Sequence, residues 1–220
     1  MSELSEYQRR TISTIDQCLD DKGCQPIIFV GSGLSRRYFG APSWIDLLNK
    51  LILDCPLFDK GIAYYQQSLK TPQNIGSHIA ELYQKWAWET GRNCFPAELF
   101  SANQPQNIYV KYKISELMKE ITPSDIAAIK SESLKIELYS LVKINPHSII
   151  TTNYDRFLEI LFPEYEPIVG QQIIRQRKIS IGEINKIHGC ISSPDSLIFT
   201  NEDYEEFKQK KKYLSAKLLT

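Results

Sequence analysis

The chain of 220 residues is long enough for one domain with a hydrophobic core, or for one domain that carries an insertion. It contains 26 Lys and Arg residues and 26 Asp and Glu residues, so its formal net charge is zero. This balance argues against a partner held by chain-wide electrostatics, such as duplex DNA or an anionic membrane surface.

The five cysteines are scattered along the sequence, and no two of them form a Cys-x-x-Cys pair. Together with the lack of a recognisable secretory leader, this predicts reduced thiols and a cytoplasmic location. The same spacing argues against a zinc site built from cysteines. No apolar run approaches the length of a membrane span.

The N-terminal part of the chain predicts a helix followed by a strand. Over residues 4–20, apolar side chains recur at the spacing of an amphipathic helix that Gly23 would end: Leu4, Tyr7, Ile12, Ile15 and Leu19. Residues 26–30 are a short apolar run, which is typical of a parallel strand buried on both faces.

The strand leads into the glycine-rich segment Gly31-Ser32-Gly33-Leu34-Ser35. Glycine allows close approach of a ligand to the backbone, and the N-terminus of a following helix suits a phosphate. The segment therefore predicts a nucleotide site at the carboxyl end of the first strand. It lacks the third glycine of the dinucleotide fingerprint and the Gly-Lys-Ser/Thr of a phosphate loop, so an ordinary strand-to-helix turn is the alternative.

The next part of the chain predicts a loop and then helices. Residues 36–42 are predicted as a loop, and Ser43 is predicted to cap a helix with Asp46 near its positive end. Residues from about 54 to 144 carry helical patterns interrupted by proline and no strand pattern. This predicts a helical subdomain inserted into an α/β frame, within one domain over residues 1–220.

The C-terminal part returns to strands. Residues 148–152, 167–169, 184–187 and 197–199 are predicted as four further strands, with a helix after Asp155. Thr200 is predicted to cap a last helix with Asp203 at its third position. The pattern favours a Rossmann-like parallel sheet with helices on both faces.

Three polar motifs each follow a predicted strand: Gly31-Ser32-Gly33, Asn153-Tyr154-Asp155 and His188-Gly189. Because the carboxyl ends of parallel strands share one edge, the motifs are expected to converge on one pocket. An amide, a carboxylate and an imidazole beside a phosphate-binding turn suit cleavage of the nicotinamide–ribose bond of NAD, which passes through an oxocarbenium-like state. The base for this reaction needs a pKa near neutral, and histidine is the usual one.

Each of these residues also has a structural interpretation. A histidine at the end of a strand can serve packing alone. Asn153 can cap the following helix, and Asp155 can interact with the dipole of that helix.

At these motifs the sequence resembles the sirtuin (SIR2) superfamily, in particular the NAD-hydrolysing sirtuin-like domains of bacterial antiphage defence proteins. The family carries Gly-Ala-Gly-x-Ser, Thr-Gln-Asn-x-Asp and His-Gly. The corresponding segments here are residues 31–35, 151–155 and 188–189, and residues 197–204 resemble a Thr-x-x-Asp-Tyr segment of the defence branch. The resemblance covers residues 26–44 and 145–207 in the family's order.

The resemblance implies that His188 is the catalytic base and that Asn153 orients the water or the ribose. It also implies that Asp155 holds the nicotinamide carboxamide, while the glycine-rich turn cradles the phosphates and the adjacent ribose. Pro42 and Trp44 lie where the family has its mobile cofactor loop. The implied cofactor-binding set is Gly31, Ser32, Gly33, Ser35, Pro42, Thr152, Asp155 and Gly189.

The sequence departs from the sirtuin pattern in two ways that favour NAD hydrolysis. The family's Gly-Ile-Pro-Asp-Phe-Arg loop is here residues 40–44, Gly-Ala-Pro-Ser-Trp, without the Asp and Arg. The four zinc cysteines of protein deacylases are also absent, so we expect NAD as the substrate and no zinc. The sequence ends before the strands that complete the family's fold, so we expect the C-terminal strands to be missing and the chain to be part of a longer polypeptide.

We therefore expect an NAD glycohydrolase that releases nicotinamide and ADP-ribose, as the effector domain of an antiviral defence protein that depletes NAD. The expected partners are further copies of the chain, further domains or a phage-derived activator, with no direct contact to nucleic acid or membrane. Two alternatives stay open. One is an NAD-dependent protein deacylase or ADP-ribosyltransferase, and the other is a catalytically silent nucleotide-sensing or assembly module.

Overall fold

The computed structural model describes residues 5–22, 25–175 and 181–219. Within these ranges the chain forms four β-strands and ten α-helices, joined by loops and short 3₁₀ turns. The strands are β1 (Ile27–Val30), β2 (Ser148–Thr151), β3 (Glu166–Val169) and β4 (Glu183–Lys186). The helices are α1 (Glu6–Lys22), α2 (Ser32–Phe39), α3 (Trp44–Asp54), α4 (Ile62–Leu69), α5 (Pro72–Glu89), α6 (Ile108–Ile121), α7 (Glu132–Lys143), α8 (Phe157–Leu161), α9 (Gln172–Arg175) and α10 (Asn201–Leu219).

The four strands form one parallel sheet in the order β1-β2-β4-β3. The register places Val30 beside Thr151, and Thr151 beside Lys186. Neighbouring strands therefore end at the same level, and the segments that follow β1, β2 and β4 leave the sheet side by side. This confirms the prediction of a Rossmann-like α/β fold with a parallel sheet.

Helices pack on both faces of the sheet. Successive side chains along a strand point to opposite faces, and apolar side chains occur on both. On one face, Val30, Ile149 and Ile184 form a core with residues of α2, α7 and α8. On the other face, Ile168 packs with Ile173 of α9, and Phe207 of α10 lies against them.

The described residues between β1 and β2 form helices and no strand, as the sequence predicts for residues 54–144. The largest hydrophobic core joins α3, α5 and α6 to residues that follow β4, including Ile191, Leu197 and Phe199. The helical region thus shares a core with the segment that follows the sheet. Its description as an inserted subdomain stays a prediction.

The prediction that residues 26–30 are buried on both faces is wrong for the described chain. Val30 is buried, but Ile27 is 55% and Phe29 is 66% exposed. β1 lies at an edge of the sheet, and no described helix covers the face that carries these two side chains. An apolar run has the same sequence pattern whether a strand is central or at an edge, so the pattern could not predict this exposure.

α1 forms where an amphipathic helix is predicted, but its apolar stripe is not buried. Tyr7, Ile12 and Ile15 are exposed, with Tyr7 at 78%. Gly23, the predicted end of this helix, lies outside the described residues. Hydrophobic periodicity therefore predicted the helix but not its packing.

The predicted loop over residues 36–42 is correct for residues 40–42 but wrong for residues 36–39, because α2 continues to Phe39. Leu34, Tyr38 and Phe39 pack against the sheet core, and this burial stabilises a helix over the predicted loop. The helix ends at Gly40, which has a left-handed φ of +71° and donates its N–H to the carbonyl oxygen of Arg36.

The predicted fifth strand over residues 197–199 is also wrong. The segment does not join the sheet, although Leu197 and Phe199 are buried. The N–H of Ile198 donates to the carbonyl oxygen of His188, and the N–H of Phe199 donates to the Asp203 carboxylate. These donors are therefore used by the loop after β4 and by the cap of α10, and they do not pair with a strand.

The predicted cap of α3 is confirmed and provides a stability test. Ser43 Oγ accepts from the N–H of Asp46 at 3.2 Å, and the Asp46 carboxylate accepts from the N–H of Ser43 at 3.0 Å. Replacing Ser43 with Ala should lower the free energy of unfolding by about 1 kcal/mol.

Ser131 is the matched control, since it precedes α7 but does not cap the backbone of that helix; among the described residues its Oγ is hydrogen-bonded only to Ser133 Oγ, at 2.9 Å. Ser131→Ala should change the free energy of unfolding by less than about 0.5 kcal/mol. Urea unfolding of both variants measures the difference, and equal losses would show that the capping box of α3 contributes no stability.

Candidate functional site

The carboxyl ends of β1, β2 and β4 surround a cavity of about 290 Å³. The N–H of Thr152 donates to the carbonyl oxygen of Val30 at 3.3 Å, and the N–H of Ile187 donates to that of Thr151 at 2.9 Å. These bonds hold the segments after the strands side by side. The cavity is lined by most of the residues that the sequence nominates: Ser32, Ser35, Pro42, Thr152, Asn153, Asp155 and His188. The other nominated residues, Gly31, Gly33 and Gly189, do not line it.

Three side chains at the cavity form a buried hydrogen-bond network. Asn153 Nδ2 donates to Ser35 Oγ at 2.9 Å and to the carbonyl oxygen of Gly31 at 3.1 Å. Ser35 Oγ in turn donates to Asp155 Oδ2 at 2.7 Å. The network links the start of α2 to the segment after β2, so two motifs more than 110 residues apart in sequence form one unit.

Asp155 has a structural role in addition to this network. Its Oδ1 accepts from the N–H of Phe157 at 3.0 Å, at the start of α8. The structural interpretation made from sequence is therefore correct in part for Asp155. Each carboxylate oxygen has a second lone pair, so the group still has acceptor sites for a ligand.

The start of α2 provides space and backbone donors beside the network. Gly31 precedes the helix with an extended backbone, and no side chain caps the first turn. A Cβ atom placed on Gly31 or Gly33 would meet no atom within 4 Å. The backbone is thus open to close approach of a ligand, and the uncapped N–H groups favour an anion.

His188 follows β4 and faces the cavity without a hydrogen-bond partner for its side chain among the described residues. Burial lowers the pKa of His188 from 6.5 to about 4. The imidazole is therefore neutral at physiological pH, and its nitrogen lone pair is available to accept a proton. The pKa lies below the near-neutral value expected from the sequence.

Residues 147–220 match the family model of the SIR2-like domain. The match covers about a third of the chain and includes Asn153, Asp155 and His188, and it supports a sirtuin-like domain. SIR2-like domains bind NAD, so the match indicates an NAD-related activity in general terms. A comparison with curated proteins gave no match. The resemblance of residues 26–44 to sirtuins lies outside the matched region and stays a prediction.

The position after His188 requires a glycine for structural reasons. Its φ is +90°, and a Cβ atom there would lie 2.3 Å from the carbonyl oxygen of Ser196. Both constraints exclude a side chain. Gly189 thus allows the chain to turn after His188, which is a structural reason for a residue that the sequence nominates for cofactor binding.

A buried ion pair beside the segment that carries Asp155 was not predicted from the sequence. Lys186, at the end of β4, is fully buried and lies 3.1 Å from Glu159 Oε1 in α8. Lys186 Nζ also donates to the backbone carbonyl oxygen of Asp155. The pair therefore supports the segment that carries Asn153 and Asp155. The sequence shows a lysine near the end of a predicted strand, but no local pattern identifies Glu159 as its partner.

One wall of the cavity is apolar, and the sequence did not predict that its side chains lie together. Trp44 lies edge-on to Tyr154 and Tyr204, with ring centroids 6.3 and 6.4 Å apart, and all three line the cavity. Leu47 of α3 and Met118 of α6 complete this wall. The helical region thus contributes to the site, which its sequence pattern alone did not indicate.

Neither a metal cluster nor a membrane-spanning helix is found in the described part of the chain. No group of three or more His, Cys, Asp or Glu side chains in these ranges could hold a metal ion. In the same ranges, no helix is long and apolar enough to cross a membrane.

The buried ion pair leads to a second stability prediction. Lys186→Met should lower the free energy of unfolding by about 3–5 kcal/mol, because it removes the buried cation from Glu159 and leaves that carboxylate with the exposed Arg156, 3.8 Å away, as its only cation in the described chain. Chemical denaturation of the purified variant measures this loss.

Lys208 offers the matched control, because it pairs with Glu205 on the exposed surface of α10. Lys208→Met should change the free energy of unfolding by no more than about 1 kcal/mol. If Lys186→Met were as mild as this control, the buried pair could not be what supports the segment after β2.

Proposed function

We propose that the chain is an NAD glycohydrolase, which cleaves the bond between nicotinamide and ribose to give nicotinamide and ADP-ribose. The observation that carries the proposal is the convergence of Ser35, Asn153, Asp155 and His188 on one cavity beside an uncapped helix start. The match of residues 147–220 to the SIR2-like domain supports NAD as the substrate.

The reaction needs few groups, because nicotinamide in NAD is already a cationic leaving group. The bond from C1′ of the ribose to the pyridinium nitrogen breaks, and its electron pair goes to that nitrogen. A water molecule forms the new bond to C1′ and loses one proton. His188 is neutral and accepts this proton.

The hydrogen-bond network supports complementary roles for Asn153 and Asp155. Both amide hydrogens of Asn153 are used by Gly31 and Ser35, and no described residue donates to its Oδ1. That oxygen is the atom able to accept from a water molecule or a ribose hydroxyl. Asp155 keeps acceptor capacity for the carboxamide N–H₂ group, and its position is fixed by Ser35 and by the N–H of Phe157.

The proposal includes a biological role as the effector of an antiviral defence protein that depletes NAD. This part rests on the resemblance of residues 197–204 to the defence branch. In the structure, Thr200 and Asp203 of this segment cap α10, and Tyr204 lines the cavity. Self-assembly, an activator and a cytoplasmic location stay predictions from the sequence.

The direct test measures release of nicotinamide from NAD by the full polypeptide, without an acylated peptide. His188→Ala and Asn153→Ala should each lower kcat/KM by about 100-fold or more, because each removes a group that acts at the reacting atoms. His147→Ala is the matched control, since His147 precedes β2 and does not line the cavity.

Two results would favour the alternatives. If nicotinamide is released only when an acyl-lysine peptide is added, the chain is a deacylase. If NAD turnover is the same in His188→Ala, Asn153→Ala and the unchanged protein, the silent nucleotide-binding module is correct.

The low pKa of His188 also predicts the pH dependence of the reaction. With a pKa of about 4 in the free protein, the imidazole is more than about 95% neutral at both pH 5.5 and pH 7.5. Protonation of His188 should therefore change kcat/KM by less than about twofold between these values. A histidine with the ordinary pKa of 6.5 would produce a loss of about tenfold at pH 5.5.

A further inference from the structure

The His188 ring is held by two aromatic rings of α10. Its centroid lies 5.7 Å from that of Tyr204 and 5.2 Å from that of Phe207, with interplanar angles of 87° and 85°. Tyr204 and Phe207 are three residues apart, so both project from the same side of the helix. No described residue forms a hydrogen bond with the His188 side chain, so ring contacts replace the usual hydrogen-bonded partner.

We propose that Tyr204 and Phe207 are positioning residues, which fix the orientation of the His188 imidazole and shield it from water. This inference rests on the proposed function, in which His188 is the base. In many catalytic histidines a hydrogen-bonded carboxylate or carbonyl oxygen fixes the orientation of the ring; here the two rings of α10 would do so.

The two rings that contact His188 face different cavities, and His188 itself lines only the first. Tyr204 lines the cavity described above, whereas Phe207 lines a second cavity of about 490 Å³ together with Ile187 and Ile198. Phe207 therefore stands between the imidazole and the larger, more polar space. Loss of its side chain would connect His188 to that space and to water.

α10 is anchored firmly enough to act in this way. Asp203 accepts from the N–H groups of Phe199 and Thr200, each at 2.9 Å, which caps the helix. It also accepts from the buried Lys111 of α6 at 2.7 Å and from Asn107 Nδ2 at 3.2 Å. The first turn of α10, directly before Tyr204, is thus fixed to the helical region.

Charged groups around the two cavities do not explain the low pKa of His188, which results from burial. Asp155 and the phenol of Tyr204 face the first cavity. The second cavity is lined by charged side chains of both signs: Lys111, Asp195, Asp203, Glu206 and Lys210. Removal of Phe207 should therefore act mainly through hydration of the imidazole.

The test is an NMR titration of the His188 ring, with the signal assigned by its loss in His188→Asn. We expect Phe207→Ala to raise the pKa of His188 from about 4 by at least about one unit towards 6.5. Phe207→Tyr keeps a ring at this position and should leave that pKa within about 0.3 unit. A pKa that is unchanged in Phe207→Ala would overturn the proposal.

A second pair of variants covers the case in which Phe207→Ala does not fold. Tyr204→Leu should raise the pKa of His188, and Tyr204→Phe should not, because only the former removes the ring. Equal pKa values in these two variants would also contradict the proposal. Because the titration needs no NAD, failure of the unchanged protein to cleave NAD would overturn the proposed function without deciding the role of α10.

Kinetics separate positioning from general stability. In Phe207→Ala, the acid limb of the kcat/KM profile should move to higher pH together with the pKa of His188, whereas in Phe207→Tyr it should not. A uniform loss of activity at all pH values, with an unchanged profile, would indicate a structural role only and would overturn the inference.

Discussion

The parallel register of β1, β2 and β4 is the constraint on which the site depends. It places the carboxyl ends of three strands, separated by up to about 160 residues in sequence, side by side at one edge of the sheet. The backbone bonds from Thr152 to Val30 and from Ile187 to Thr151 continue this alignment beyond the strands. A shift of one residue in any of these pairings would reverse the faces of the side chains and separate the motifs.

Charged side chains are buried at the same edge of the sheet. Lys186 and Asp155 are buried, and Glu159 contacts Lys186 from α8. Burial of these groups costs free energy unless each charge is paired and hydrogen-bonded, and here the partners come from β4, α2 and α8. The arrangement is therefore difficult to explain by stability alone, because apolar side chains could fill the space at lower cost. It is readily explained if the Asn153 amide and the Asp155 carboxylate must keep fixed positions.

The sequence predicted the parallel fold, and most of the residues that it nominated line the cavity, because short apolar runs followed by polar motifs indicate where strands end. Predictions from the sequence were wrong at positions whose structure depends on tertiary packing. Residues 36–39 are helical because Tyr38 and Phe39 pack against a hydrophobic core. Residues 197–199 do not join the sheet because the N–H groups of Ile198 and Phe199 donate to His188 and Asp203. The exposure of Phe29 depends on its place at the sheet edge, and the Lys186–Glu159 pair joins two elements whose contact no local pattern reveals.

The pKa of about 4 makes His188 a weak base, which at first argues against catalysis. The proposed reaction changes this expectation, because positive charge develops on the ribose in an oxocarbenium-like transition state. An imidazolium beside that charge would raise its energy, whereas a neutral ring would not. Attack by water on so electrophilic a carbon also requires little removal of its proton until the new bond has formed. For this chemistry, a histidine that stays neutral is more suitable than a stronger base that is partly protonated. In the proposed arrangement, the aromatic rings of α10 keep His188 neutral by burying it.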